Sequence, residues 1–268
     1  MTSAEGDADD DAEVLRRRAR SFGAVAEDYD RYRPAYPSDA VDWLLPPGAR
    51  DVADVGAGTG KLTGLLVERG LRVTAVEPDP EMVAVLARVH PAAEARRAGA
   101  DALPLADASV DAVVVGQAWH WFPHEQAAAE IRRVLRPGGR LGLIWNQMPA
   151  DMAPWQVDVE GLNARARGTE LESLAEIPDV IEVDGLPATE LEAALFPWVD
   201  QLEPAFLRAR MATYSHIALL PDAEREQLLD EIAAIAQREA TRLGAATVPF
   251  RQVAYCVRWT PAPSPAPA

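Results

Sequence analysis

Residues 54–60 read DVGAGTG, placed directly after a short apolar stretch and directly before a helical run at 61–69. A chain that turns from a strand into a helix needs positive φ or a close backbone approach, and both are resisted by a Cβ. Gly56, Gly58 and Gly60 supply that freedom. Such a turn leaves unpaired N–H groups at the start of the following helix, where the helix dipole also favours an anion. A second acid, Glu77, ends the next apolar stretch 21 residues after Gly56 and is followed by Pro78. At that spacing a second parallel strand presents a carboxylate to ribose hydroxyls. The pattern predicts a nucleotide-type cofactor at the end of a parallel sheet.

Spacing then separates the candidate cofactors. The dinucleotide fingerprint needs glycine three positions after the second one, where this chain has Lys61, which weakens an NAD or FAD reading. A P-loop would need glycine at position 55 and Ser or Thr at 62, where Val55 and Leu62 stand, so ATP binding of that kind is excluded. What remains, Asp54-x-Gly56-Ala57-Gly58-x-Gly60 followed by Glu77-Pro78, resembles the cofactor loop of class I S-adenosylmethionine-dependent methyltransferases.

Three more stretches carry the resemblance in order. In that family a third strand end supplies an acid to the adenine amino group, and ADALPL at 100–105 matches, with Asp101 and Ala102 at that place. SVDAVVVG at 109–116 resembles the fourth strand, with Gln117 and then AWHWF at its end, and EIRRVLRPGG at 130–139 resembles the helix and turn that lead into the fifth. Two flanks, Phe22-Gly23 through YDRYRP at 29–34 and AWHWF at 118–122, look like the methyltransferase type 11, trans-aconitate-methyltransferase-like branch, whose enzymes act on small acids. The branch resemblance covers about residues 20 to 150 well and the C-terminal third in outline.

The resemblance implies S-adenosyl-L-methionine as cofactor, held by Tyr29, Arg33, Asp54, Gly56, Ala57, Gly58, Gly60, Glu77, Pro78, Met82, Asp101, Ala102 and Gln117. It implies a Rossmann-like, doubly wound α/β fold with a mostly parallel seven-stranded sheet, an antiparallel last strand and a helical cap insertion. Short strand candidates at 52–55, 73–77, the 97–101 region, 112–116 and 141–145 alternate with helical segments, as such a sheet requires. Asp79-Pro80 is a helix start with proline at the first helical position, and Met82, Leu86 and Val89 then share one face. From about 150 to 217 a proline-interrupted stretch reads as a cap plus the sixth strand near 195–202. Residues 221–243 form one long amphipathic helix with Leu228, Leu229, Ile232, Ile235 and Ala236 inside, and 248–259 form the seventh strand. The methyltransferase domain is expected over 14–260, between a disordered acidic start at 1–13 and a disordered Pro/Ala tail at 261–268.

Composition narrows the class. The 268 residues carry a formal charge of −16, with six acids in residues 1–13, which argues against a polyanionic partner such as nucleic acid. The position after the fourth strand reads GQAWHW rather than the Asn- or Asp-Pro-Pro-aromatic signature of base amino-methylation. No apolar run approaches the roughly 18 residues of a membrane span, and the acidic start is the opposite of a signal peptide, so a soluble, cytoplasmic chain is expected. Cys256 reads as an ordinary core thiol, and four scattered histidines with one cysteine give no metal site.

Methyl transfer from a sulfonium demands near-collinear positioning and exclusion of water. A carboxylate acceptor is already ionised and needs no base. Arg33 offers a planar fork for such an acid, and Trp119, Trp121, Phe122 and Tyr214 are expected to line the substrate side. A hydroxyl or acidic carbon would need a base, for which His120 is the candidate. A cofactor-binding regulatory protein without chemistry would keep the same cofactor residues. Lys61 reads as a solvent-facing or helix-start charge without a role.

Overall fold

Apolar side chains alternate between two faces along the central strands, and each face is covered. In the computed structural model, which describes residues 30–171 and 182–261, Ala53, Val55, Val113, Val115, Leu141 and Leu143 pack with Ala127, Ile131 and Val134 on one side. On the other side Val52, Ala112, Val114 and Ile144 pack with Val41, Leu44, Leu62 and Leu66. A strand with apolar groups at every position is the mark of a parallel sheet buried between helices.

The elements follow in order: α1 (Ser38–Leu44), β1 (Asp51–Val55), α2 (Lys61–Glu68), β2 (Arg72–Glu77), α3 (Pro80–Val89), β3 (Glu94–Arg97) and β4 (Val110–Gly116). Then come α4 (His124–Val134), β5 (Leu135–Gln147), α5 (Pro154–Arg167), β6 (Leu191–Leu202), α6 (Pro204–Ala212), α7 (Ser215–Ala218), α8 (Asp222–Leu243) and β7 (Val248–Trp259). The seven strands are ordered β3-β2-β1-β4-β5-β7-β6. β1 pairs in parallel with both β2 and β4, while β7 runs antiparallel to both β5 and β6. The order reverses at β1 and β4, and the crevice at the carboxyl ends of these two strands is where open α/β sheets bind ligands.

Three local expectations are corrected. The third strand ends at Arg97, so Asp101 and Ala102 lie beyond it in a turn with both residues exposed. The fifth strand begins at Leu135, before the glycines: Val110 pairs with Leu135 and Ala112 with Arg140, so residues 136–139 bulge out of register. On α3 the buried residues are Met82, Val85 and Leu86, whereas Val89 is 38% exposed because the helix ends there, beyond the sheet's cover. Asp79 caps that helix as expected, its Oδ1 accepting the N–H groups of Glu81 and Met82.

The sixth strand extends from Leu191, four residues earlier than expected, and α5 to α8 pack around their own core of Trp155, Val159, Leu207, Met211, Ile232 and Phe250. Leu229, Ile232, Ile235 and Ala236 of α8 are buried there and Leu228 packs at its edge. Among the described residues no helix is long and apolar enough to cross a membrane. The expected disordered start at 1–13, and all but Pro261 of the expected tail, lie outside the described residues.

Candidate functional site

The turn between β1 and α2 is left-handed at three points: Gly56, Gly58 and Gly60 have φ of +70°, +56° and +100°. Side-chain room is also absent at two of them. A Cβ on Gly56 would stand 2.6 Å from Cβ of Ala118 and 3.0 Å from Cζ of Phe122, and one on Gly60 would stand 2.5 Å from the His90 ring. Gly58 differs, with Sδ of the buried Met82 at an ordinary 3.7 Å from such a Cβ, so its glycine is required by φ alone.

Behind this loop sit two buried acids. Glu77, at the end of β2, accepts the N–H of Gly58 at 2.9 Å through Oε2 and the N–H of Asp79 at 3.0 Å through Oε1. A carboxylate has about four acceptor positions, so each oxygen keeps capacity for a hydroxyl. Burial raises the Glu77 pKa, against the two backbone N–H groups that lower it. Asp54, at 1% exposure, accepts the Thr63 hydroxyl at 2.6 Å through Oδ2, while Oδ1 is buried without a partner. Burial pushes its pKa up to about 7, with the Thr63 bond opposing and the Glu77 charge adding to the rise. Thr59 Oγ1 is likewise buried without a partner.

A cleft opens beside the loop, lined by Gly56, Ala57, Gly58, Asp54 and Thr59 on one wall and by Arg33, Tyr36, Lys61, Gln117 and Asn146 around them. Gln117 directly follows β4 in a left-handed conformation, φ +57°, which costs a residue with a Cβ about 1–2 kcal/mol. Its N–H donates to the Ile144 carbonyl at 2.9 Å, and Nε2 reaches the Asn146 carbonyl at 3.4 Å. Asn146 is fixed in turn, donating to the Ala35 carbonyl and accepting from Trp198. Arg33 donates to the Thr213 carbonyl at 3.0 Å, and its guanidinium lies 4.5 Å from the Tyr214 ring, which joins the cleft to α6 and α7.

The sequence-derived site is therefore assembled in part. Arg33, Asp54, Gly56, Ala57, Gly58 and Gln117 line the cleft, while Gly60, Glu77 and Met82 support the loop from behind. Pro78 is exposed, and its carbonyl accepts from Arg97. Tyr29 lies outside the described residues. Trp119 is corrected from substrate wall to core: it is 3% exposed, its indole donates to the Asp184 carbonyl, and its ring packs on Phe122 and His124. Trp121 and Phe122 are half-buried at the edge of that core, with Phe122 against Gly56. The His120 ring lies 4.6 Å from that of Trp121, tilted by 46°, and His120 is not among the cleft-lining residues. Partial burial of its ring, then the neighbouring His124, lower its pKa, although the residue keeps an exposed edge.

Tyr36, Asn146 and Lys61 are among the lining residues to which the sequence assigns no role. Tyr36 is buried, and its hydroxyl lies 2.6 Å from where a Cβ on Gly116 would stand. Asn146 reaches the cleft only because β4 and β5 pair in register, Gly116 opposite Ile144. Lys61 had a signal, a cation on the first turn of a helix.

The cleft fits an adenosyl amino-acid cofactor on its own geometry. The loop has left-handed glycines and no room for a Cβ at Gly56, Glu77 keeps acceptor capacity, and two orphaned oxygens, on Asp54 and Thr59, belong to cleft-lining residues.

Known proteins agree with this construction. Residues 53–143 match the family model described as a methyltransferase domain. An uncharacterized methyltransferase of Mycobacterium tuberculosis is 39% identical over 245 residues, 91% of this chain and 97% of the relative. An uncharacterized methyltransferase-like protein of Schizosaccharomyces pombe is 35% identical over 222 residues, 80% of this chain and 86% of the relative. A solved structure from Anaeromyxobacter dehalogenans, assigned as a type II methyltransferase, superposes with a TM-score of 0.63 at 25% identity, covering 87% of this chain and 100% of the other.

Proposed function

The chain belongs to the class I S-adenosylmethionine-dependent methyltransferases, and on that premise we propose that it methylates a carboxylate oxygen of a small-molecule acceptor. Its cofactor is S-adenosyl-L-methionine, which when bound supplies an electrophilic methyl group on a sulfonium. Neither the relatives nor the solved structure named above specifies the acceptor.

The observation that carries the carboxylate reading is the charge character of the cleft. Among the described residues its wall carries two cations, Arg33 and Lys61, together with the amides of Gln117 and Asn146, and no histidine. Asp54, the one carboxyl among the described lining residues, accepts the Thr63 hydroxyl through Oδ2 and is drawn toward its neutral form by burial, which leaves Oδ1 for a donor on the ligand. Such a wall suits an acceptor that arrives already ionised and needs no proton removed. Arg33 and Lys61 attract it, the amides orient it, and the buried Tyr36 and Leu62 supply apolar surface that excludes water. Glu77 and the glycine loop hold the adenosine end. Methylation of a hydroxyl, carbon or nitrogen with His120 as base is less favoured, because His120 is not among the cleft-lining residues.

The reading is tested by incubating the protein with the cofactor and a panel of small carboxylic acids, their primary amides and neutral hydroxyl compounds, with mass spectrometry for a gain of one methyl. Methyl gain on acids and none on amides is expected. Gain confined to neutral hydroxyl compounds would replace the carboxylate by the base-assisted reading, and no gain on any acceptor would leave a cofactor-binding protein without chemistry.

A further inference from the structure

Lys61 opens α2 and lines the same cleft as Arg33 and the glycine loop, and its position is electrostatically costly. The first residue of a helix sits among unpaired N–H groups at the positive end of the dipole, where an anion is favoured and a cation is not. The Lys61 side chain is also largely withdrawn from water, at 29% exposure. Burial is the largest cause lowering its pKa, Asp30 opposes that, and the positive charge of Arg210 adds to it. The Asp30 carboxylate is distant for an ion pair, at 3.9 Å.

Arg210 is a second cation withdrawn from water near Lys61. It is 2% exposed, with Nε donating to the Tyr32 carbonyl and Nη2 to Asp200, while Nη1 is buried with no hydrogen-bond partner. A chain of net charge −16 thus places Arg33 and Lys61 on one cleft wall with Arg210 close enough to act on Lys61. A buried cation whose opposing charge is weak is costly unless an anion joins it.

We propose that Lys61 is an anion-binding residue of this cleft and takes a carboxylate brought in by a ligand. The carboxylate has two possible sources, the amino-acid end of the cofactor and the acceptor. The proposal rests on the methyltransferase reading of the cleft.

Calorimetry on the full chain separates these sources with three probes: S-adenosylhomocysteine, 5′-methylthioadenosine, which lacks the amino-acid end, and succinate added to protein saturated with S-adenosylhomocysteine. A hydrogen bond to a charged group corresponds to roughly a tenfold effect or more. If the cofactor brings the carboxylate, Lys61→Gln weakens S-adenosylhomocysteine about tenfold and leaves methylthioadenosine unchanged. If the acceptor brings it, both nucleosides are unchanged and succinate weakens about tenfold. Lys61→Arg restores most of the loss in either case. The proposal is overturned if a folded Lys61→Gln protein, checked by its melting temperature, binds both nucleosides within twofold of the parent and succinate is either unaffected or not bound even by the parent. A parent protein that binds neither nucleoside would instead remove the cofactor reading, and the proposal with it.

Discussion

The carboxylate of Glu77 accepts the backbone N–H of Gly58 at 2.9 Å, tying the end of β2 to the middle of the glycine loop. One side chain thereby holds the loop in its left-handed shape and keeps acceptor capacity for a sugar hydroxyl. Glu77→Gln retains the size but removes the charge and half of the acceptor oxygens. We expect S-adenosylhomocysteine affinity to fall at least about tenfold, because hydrogen bonds to charged groups contribute roughly 1.5–3 kcal/mol. Unchanged affinity in calorimetry would place the ribose elsewhere.

Gly56→Ala and Gly70→Ala separate conformation from crowding. Both glycines are left-handed, φ +70° and +74°, but a Cβ on Gly70 meets nothing within 4 Å whereas one on Gly56 meets Ala118 at 2.6 Å. Gly70→Ala is expected to destabilise by about 1 kcal/mol and Gly56→Ala by about 2–4 kcal/mol, the excess coming from overpacking. Equal losses in denaturant melts would show that the loop yields freely at Gly56.

Asp54 sets a pH dependence. Its pKa rises from 3.8 to about 7, chiefly through burial, so the ligand-free fold favours the protonated acid. The sign follows from linkage: a raised pKa contributes stability that is complete below about pH 4 and is lost as pH climbs through about 7. Asp54→Asn removes this titration. Its melting temperature relative to the parent is therefore expected to improve from pH 5 to about pH 7 and to level off above that, and a difference that stays constant from pH 5 to pH 8 would contradict the buried-acid description.

Trp119 and His120, adjacent in sequence, should respond differently. Trp119→Ala removes a buried core ring and is expected to cost about 3–5 kcal/mol of stability. His120→Ala should leave stability close to that of the parent and lower kcat by less than about tenfold on an acid acceptor. A loss of a hundredfold or more, with a pH–rate profile flattened near neutrality, would restore His120 as the general base.

The parts of the fold that were legible in the sequence are those whose cause is local. Glycines that must be left-handed, an acid at a strand end and the Asp79-Pro80 helix start each announce themselves within a few residues. Asp101 was placed at a strand end because a short strand and the turn after it share a composition, and only the pairing of Arg97 with Glu77 shows where the ladder stops. Trp119 was misplaced because an aromatic beside a strand end suits a pocket and a core equally. Its indole bond to the Asp184 carbonyl, 65 residues away, decides the matter. Tyr36 and Asn146 needed the topology, since the segment leading into α1 and the end of β5 bring them to the cleft from 24 residues before and 86 residues after Gly60 respectively.

The most direct measurement is a crystal structure of the full chain with S-adenosylhomocysteine. Ligand density between the 56–60 loop and Gln117, with the ribose hydroxyls within hydrogen-bonding distance of Glu77, is the expected result. Density elsewhere on the protein, or a ribose that leaves Glu77 bonded only to Gly58 and Asp79, would contradict it.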